Sequence, residues 1–152
     1  MTAPADRMDR LRAAEVSDAE SISRLQRAAF DDPWSADSVA RLLTGPANLS
    51  LLAEETGAVT GFLLGQCVVD TAEVLAVAVE GTRRREGWGA ALLAGFEAVA
   101  AAAGADRVLL DVAADNESAL ALYRSRNYEV IARRDRYYAA GRLTPVDALV
   151  MA

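Results

Sequence analysis

The chain of 152 residues has no histidine and one cysteine, Cys67. The missing histidine excludes a Ser–His–Asp type of triad and a His-ligated zinc. The lone thiol excludes an internal disulfide and a thiolate metal cluster, so no metal centre is expected. Chemistry in this chain must therefore run on carboxylates, tyrosine, backbone dipoles or a cofactor. Long apolar runs are also missing. The most apolar window, residues 90–105, is interrupted by Gly95, Glu97 and Gly104, and it falls short of the roughly 18 residues of a membrane span. Residues 1–12 carry charges at Asp6, Arg7, Asp9, Arg10 and Arg12 but no apolar segment, unlike a signal peptide. A cytoplasmic protein with no membrane partner is expected. Basic residues are outnumbered 16 to 22, giving a net charge of −6. Duplex affinity rests on phosphate neutralisation by basic side chains, so no nucleic-acid partner is expected either.

What is present suits an ordinary folded domain: 53% hydrophobic and 25% charged residues, with no internal repeat or linker-like stretch. Residues 1–152 read as one domain. The pattern predicts a short strand over 11–15 and a helix opened by a capping box of Ser17 and Glu20, followed by Ile22 and Leu25 at helical spacing. A turn over 31–35 leads to a second helix capped by Ser35. Strands follow over 49–53, 59–69 and 74–79, then a helix from Gly87 to about residue 103. A strand over 108–112, a helix capped by Asn116, and strands over 128–132 and 146–151 complete the chain. This order is a mixed α/β sheet with helices on both faces, without the regular βαβ repeat of a dinucleotide fold.

Between the strand over 74–79 and the long helix stands Arg84-Arg85-Glu86-Gly87-Trp88-Gly89-Ala90. A glycine-rich turn at that place exposes consecutive backbone N–H groups, to which the helix dipole adds partial positive charge. Arginines nearby add charge-assisted contacts to an anion. The spacing lacks the Gly-Lys-Ser/Thr of a P-loop, and Leu92 stands where a dinucleotide fingerprint needs its third glycine. A plain strand-to-helix turn remains the alternative on spacing alone.

Arg84-x-x-Gly87-x-Gly89 resembles the Q/R-x-x-G-x-G/A signature of the GNAT superfamily of acetyl-CoA-dependent N-acyltransferases. Val74-Leu75-Ala76-Val77-Ala78-Val79 looks like that family's fourth strand, and Asn116-Glu117-Ser118-Ala119-Leu120-Ala121-Leu122-Tyr123 like its N-x-x-A-x-x-L-Y segment. The resemblance runs from Leu11 to Met151. It implies a single-domain α/β fold with a mixed, mostly antiparallel central sheet flanked by helices on both faces. It also implies acetyl-CoA as co-substrate. Val77, Ala78 and Val79 would offer backbone groups to its acetyl and pantetheine portions, Arg84 to Ala90 would cradle its pyrophosphate, and Asn116 would contact it. Three further pieces are similar to the RimI type, the ribosomal-protein alanine N-acetyltransferases: Asp32-Pro33-Trp34-Ser35, Arg133-Arg134-Asp135-Arg136-Tyr137-Tyr138 and Asp147-Ala148-Leu149-Val150-Met151. These imply a protein N-terminus as acceptor, typically an alanine on a small-subunit ribosomal protein, with Trp34, Tyr137 and Tyr138 as substrate-side residues. Packing roles for those three aromatics stand as the alternative.

In such a reaction the amine attacks the thioester directly, with no protein nucleophile, and Cys67 is read as core. The resemblance gives Tyr123 the task of protonating the leaving thiolate. For the base, the RimI type carries Glu-Val-Arg on the fifth strand, where this chain has Asp111-Val112-Ala113. Asp111 is one methylene shorter and the arginine is gone, so Glu73 is a second candidate. A small-amine acetyltransferase, a catalytically silent acyl-CoA-binding module and a subunit active only with a partner chain are the competing readings. If Asp111 is the base, Asp111→Asn lowers kcat/KM across the pH range and leaves acetyl-CoA affinity nearly unchanged; equal turnover of variant and parent removes the assignment.

Overall fold

The computed structural model describes residues 7–30, 32–139 and 142–152; Asp31, in the turn expected after the first helix, lies outside them. Seven strands, β1 (Leu11–Ala13), β2 (Leu51–Glu55), β3 (Ala58–Val68), β4 (Thr71–Val79), β5 (Arg107–Ala113), β6 (Val130–Tyr138) and β7 (Val146–Met151), form one sheet in the order β1-β2-β3-β4-β5-β7-β6. Only β4 and β5 run parallel; every other pairing is antiparallel. Among the elements that lie wholly within the described residues, four α-helices accompany them: α1 (Ala19–Ala29), α2 (Ala36–Thr44), α3 (Trp88–Ala102) and α4 (Glu117–Ser125). The mixed, mostly antiparallel sheet is as expected.

Alternation along the strands divides the interior into two layers. Leu51, Ala53, Leu63, Val74, Leu110 and Val112 point to the face that α3 and α4 cover with Leu92, Leu93, Phe96 and Leu120. Leu52, Phe62, Leu64 and Ala78 point the other way, against Ile22 and Leu25 of α1 and Val39 and Leu43 of α2. Each fully buried large side chain contributes about 1.5–3 kcal/mol. Helix α3 lies unusually close to the sheet at one point. A Cβ on Gly65 would stand 2.3 Å from the Phe96 ring, so glycine there is what lets the ring seat against β3.

The start of α1 departs from the sequence pattern. The helix begins at Ala19 directly after a 3-10 turn over Val16–Asp18, and the capping box is that turn's, formed by Glu15 and Asp18; at α1 itself Asp18 makes no side-chain cap bond. The Asp18 carboxylate accepts from the Glu15 N–H at 2.7 Å and from both terminal nitrogens of Arg12, at 2.8 and 2.9 Å. The two-toothed guanidinium contact from β1 fixes the Asp18 carboxylate in this turn. At α2 the expected cap is present: Ser35 Oγ accepts from the Ser38 N–H at 3.1 Å. The last strand has the expected bounds, whereas β6 begins two residues later than the hydrophobic pattern suggested and continues through the basic run to Tyr138.

The hydrogen bonds from Arg12, before any other influence, hold the Asp18 carboxyl below its ordinary range. A lowered folded-state value stabilises the fold above the unfolded-state value of about 3.9 and ceases to do so as pH falls through the folded one. Asp18→Asn should therefore cost about 1–2 kcal/mol at pH 6–7. In urea titrations the gap between variant and parent should narrow below about pH 4.

Candidate active site

The site begins with a strand pair that comes apart. β4 and β5 are in register only from Thr71↔Arg107 to Val74↔Leu110. Beyond that, β3 holds β4 as far as Gly61↔Val79, while β7 holds β5 from Leu110 to Ala113. A bulge marks the parting: Leu64 pairs with Ala76 and Gly65 with Val74, leaving Leu75 without a partner. An extra residue in one strand increases its local twist and bends it from its neighbour. The result is a V-shaped opening whose walls are the far half of β4 and the end of β5.

The side chains of Val77, Ala78 and Val79 are committed to packing, Ala78 in the α1–α2 layer and Val77 and Val79 against the α3 layer. What β4 offers to the opening is its backbone edge. Asp111 is the first β5 residue past the last paired position, so its carboxylate stands at the fork. Arg134 of β6 approaches it, Nε to Oδ1 at 3.9 Å. Glu73 lies one pleat before the fork, in register with Leu109, about 8 Å from Asp111 by strand spacing and rise. It accepts a hydrogen bond from Gln66 Nε2 at 3.1 Å.

Tyr138 stands near Asp111, and Tyr137 and Tyr123 stand near Tyr138. Tyr123 of α4 is buried, its ring set edge-on to Tyr128 with centroids 6.1 Å apart. Burial first, and the Tyr138 hydroxyl second, push its pKa well above that of a free phenol. Tyr138, at the end of β6, is pushed up to about 12 by burial, then by the charge of Asp111 and by Tyr137, while Arg142 and Arg134 act against the shift. Tyr138 is therefore coupled electrostatically to both Asp111 and Tyr123. Tyr137 packs edge-on to Tyr138 at 5.2 Å, lies under Arg134 at 5.1 Å, and is half exposed.

On the other side of the opening, the turn between β4 and α3 has two residues in the left-handed region, Arg85 at φ +65° and Gly87 at φ +88°. Gly87 precedes the first residue of α3 and supplies no side-chain cap. The first-turn N–H groups of Trp88, Gly89 and Ala90 thus have no intrahelical acceptor. Arg84 and Arg85 are exposed, and Arg84 Nε donates to the Val79 carbonyl at 3.4 Å. The Trp88 side chain is core, 1% exposed, so its backbone alone is left for an anion. The Glu86 carboxylate is held by Arg83 and by the Trp88 indole. Asn116 caps α4, its Oδ1 accepting from the Ala119 N–H at 3.2 Å.

Trp34 stands apart from this cluster. Its N–H donates to Gln26 Oε1 and its carbonyl accepts from Ser23 Oγ, both at 2.9 Å. Its side chain packs on the α1–α2 layer, which also covers Leu75, Ala76 and Ala78 of the β4 wall. Cys67 faces Ala72 near the β3–β4 turn, at the closed end of the strand pair and away from the fork. Sequence reasoning did not single out Arg134 as the neighbour of Asp111, nor Arg83 as an internal residue; only their place in basic runs marked them.

A mixed sheet forked between two parallel strands, with an uncapped helix N-terminus at its mouth, is the architecture that the family resemblance leads one to expect. The acetyltransferase (GNAT) family pattern matches residues 19–128. The chain belongs to that family and is an acyltransferase. It is 33% identical over 141 residues to the N-alpha-acetyltransferase RimI of Mycobacterium tuberculosis (strain ATCC 25618 / H37Rv), covering 89% of this chain and 85% of that one. With the [ribosomal protein bS18]-alanine N-acetyltransferase of Escherichia coli (strain K12) it shares 29% over 147 residues, 95% of this chain and 97% of that protein. The crystal structure of the ribosomal-protein-S18-alanine N-acetyltransferase from Escherichia coli superposes with a TM-score of 0.86 at 28% identity, over 93% of this chain and 90% of that one. A Mycobacterium leprae protein, 33% identical over 130 residues, is much longer, and the match covers 35% of its length.

Gly87→Ala places a Cβ in the left-handed region and should cost about 1–2 kcal/mol of stability. Gly81→Ala, where a Cβ meets nothing within 4 Å and φ lies outside that region, should stay within about 0.5 kcal/mol. Thermal melts of the two variants side by side check the difference.

Proposed function

We propose that the chain transfers the acetyl group of acetyl-CoA to the α-amino group of a protein N-terminus, with an N-terminal alanine of a small-subunit ribosomal protein as the natural acceptor. The observation that carries this reading is the fork itself. The unpaired edge of β4, the uncapped start of α3 and the Asp111–Tyr138–Tyr123 cluster all border one opening. The activities of the two RimI-type relatives, which match over most of this chain, support the choice of acceptor. A cytoplasmic, single-domain enzyme fits the same reading.

The residues suit the donor. An unpaired strand edge presents N–H and C=O groups that need partners, and an amide-bearing arm laid along β4 satisfies them as an added strand would. The N–H groups at the start of α3 and the exposed Arg84 and Arg85 suit a pyrophosphate. Acetyl-CoA supplies an activated acyl carbonyl with a thiolate leaving group; the protein supplies position and proton handling.

An α-amine with a pKa near 8 is mostly protonated at neutral pH and must lose a proton before it attacks. Asp111, at the fork, takes that proton through a water, since its side chain is short for direct reach; Glu73 is the alternative acceptor. Tyr123 remains protonated throughout the physiological range. A free thiol ionises near 8.5, well below a buried phenol, so Tyr123 donates a hydrogen bond to the departing sulfur rather than surrendering its proton outright. Arg134 keeps a positive charge beside Asp111, and Tyr138 closes the space between the two proton-handling groups.

Free-thiol release from acetyl-CoA, measured with a peptide beginning Ala-Arg-Tyr and with the same peptide blocked at its N-terminus, tests the reading. Release that depends on the free α-amine is expected. Preferential use of polyamines or free amino acids would reassign the acceptor to a small amine. Binding of acetyl-CoA with no transfer to any amine would reduce the chain to an acyl-CoA-binding module.

A further inference from the structure

Three consecutive arginines precede the glycine turn, and the structure gives them different surroundings. Arg83 is turned inward. Its guanidinium donates to the Glu55 carboxylate at the end of β2, 28 residues away in sequence, and its Nε donates to Glu86 Oε1 at 2.9 Å. The same Glu86 oxygen accepts from the Trp88 indole N–H at 3.1 Å. Glu55 also lies 3.6 Å from Arg7 and 3.9 Å from Arg10. Arg7 and Arg83 both sit over the Trp88 ring, 4.7 and 5.7 Å from its centroid. The side chains of Arg83 and Glu55 are 29% and 22% exposed, so the pair is better shielded from water and salt than a surface contact.

This chain of contacts spans both ends of the turn. It ties Arg83, before the left-handed residues Arg85 and Gly87, to Trp88, directly after them, and anchors both to β2. Left-handed positions are costly for a residue with a side chain such as Arg85 and persist when the surroundings over-determine them. The Glu55–Arg83–Glu86–Trp88 relay is what over-determines this turn.

We propose that Arg83 is a positioning residue, clamped by Glu55 and Glu86, that holds the turn from Arg84 to Gly89 in the shape that receives the pyrophosphate of the acyl donor, and that only Arg84 and Arg85 of the three arginines face the anion. The proposal rests on the reading of this turn as the pyrophosphate cradle. It predicts that damage to the relay is felt through the phosphates of the donor and not through the acetyl group or the acceptor.

The test compares acetyl-CoA with S-acetylpantetheine, which carries the same thioester and amide arm but no pyrophosphate. Glu55→Gln should lower kcat/KM for acetyl-CoA at least tenfold, and change kcat/KM for S-acetylpantetheine and KM for the Ala-Arg-Tyr peptide less than twofold. Arg83→Lys separates clamping from direct phosphate contact. Lysine keeps the charge but lacks the planar fork that reaches two carboxylates together, so it should lose acetyl-CoA efficiency as Glu55→Gln does. In a Trp34→Phe background Trp88 is the single tryptophan, and Glu55→Gln should change its emission. Retained S-acetylpantetheine turnover shows that the variants are folded. Equal losses with both donors, an unchanged acetyl-CoA efficiency in Glu55→Gln, or full activity of Arg83→Lys would each overturn the proposal. A parent enzyme that uses both donors equally well would overturn the cradle reading underneath it.

Discussion

The parallel contact between β4 and β5, kept for four residue pairs and then abandoned, is the constraint on which the rest of the structure depends. A sheet edge inside a domain is costly, because backbone N–H and C=O groups in the opening lose their ladder partners. The fold tolerates it because each strand is secured on its other side, β4 by β3 and β5 by β7. The bulge that leaves Leu75 unpaired gives β4 the twist to diverge. Gly65 sits at that same irregularity and admits Phe96, so the residue that lets α3 press on the sheet also lies where the sheet begins to open. Helix placement and strand separation are thereby one feature. The N-terminus of α3 arrives at the mouth of the fork because the body of the helix is seated on β3 close behind it.

Electrostatics then divide the opening into two sides. On the turn side, arginines and uncapped N–H groups make a positive rim around a chain whose net charge is −6. On the far side stand Asp111 and three phenols. Without histidine, a proton route at neutral pH has few carriers, and burial keeps Tyr123 and Tyr138 from ionising. In the proposed reaction these phenols donate hydrogen bonds, and Asp111 is the carboxylate that stands beside Tyr138. Arg134, reaching across β7 from β6, supplies a cation near Asp111 on a strand whose own sequence, Asp111-Val112-Ala113, carries none.

Much of this was legible in the sequence. The element order, the mixed sheet, the Ser35 and Asn116 caps and the glycine turn before α3 follow from periodicity and local turn chemistry, which act over a few residues. The failures share a different cause. Ser17 and Glu20 form a plausible box by spacing, yet the box observed lies earlier, between Glu15 and Asp18, and its carboxylate is held by Arg12, whose approach depends on how β1 meets the first turn. Arg83 is not among the arginines assigned to the glycine turn; its partner Glu55 lies at the end of β2 and cannot be found by scanning neighbours. The meeting of Tyr138, Asp111 and Tyr123 requires the β6–β7 register and its irregularity between Arg134 and Tyr138. No local pattern encodes that register.

The extent of β6 shows the same tension between local pattern and fold. All but the last of its residues are exposed, and it forms the edge of the sheet. Hydrophobic alternation therefore gives no signal for most of its length, and a charge run reads as a loop. Yet charge is what an exposed edge requires, since unpaired backbone groups invite pairing with another chain. Arg133, Arg134 and Arg136 interrupt that edge, and the register shift with Arg136 at φ +52° spoils its flatness. The same segment also aims Arg134 at Asp111 and delivers Tyr138 to the fork. A sequence suited to guarding a sheet edge also furnishes one wall of the opening; the resemblance marked its two tyrosines, but its composition gave no sign of the strand or of the contact between Arg134 and Asp111.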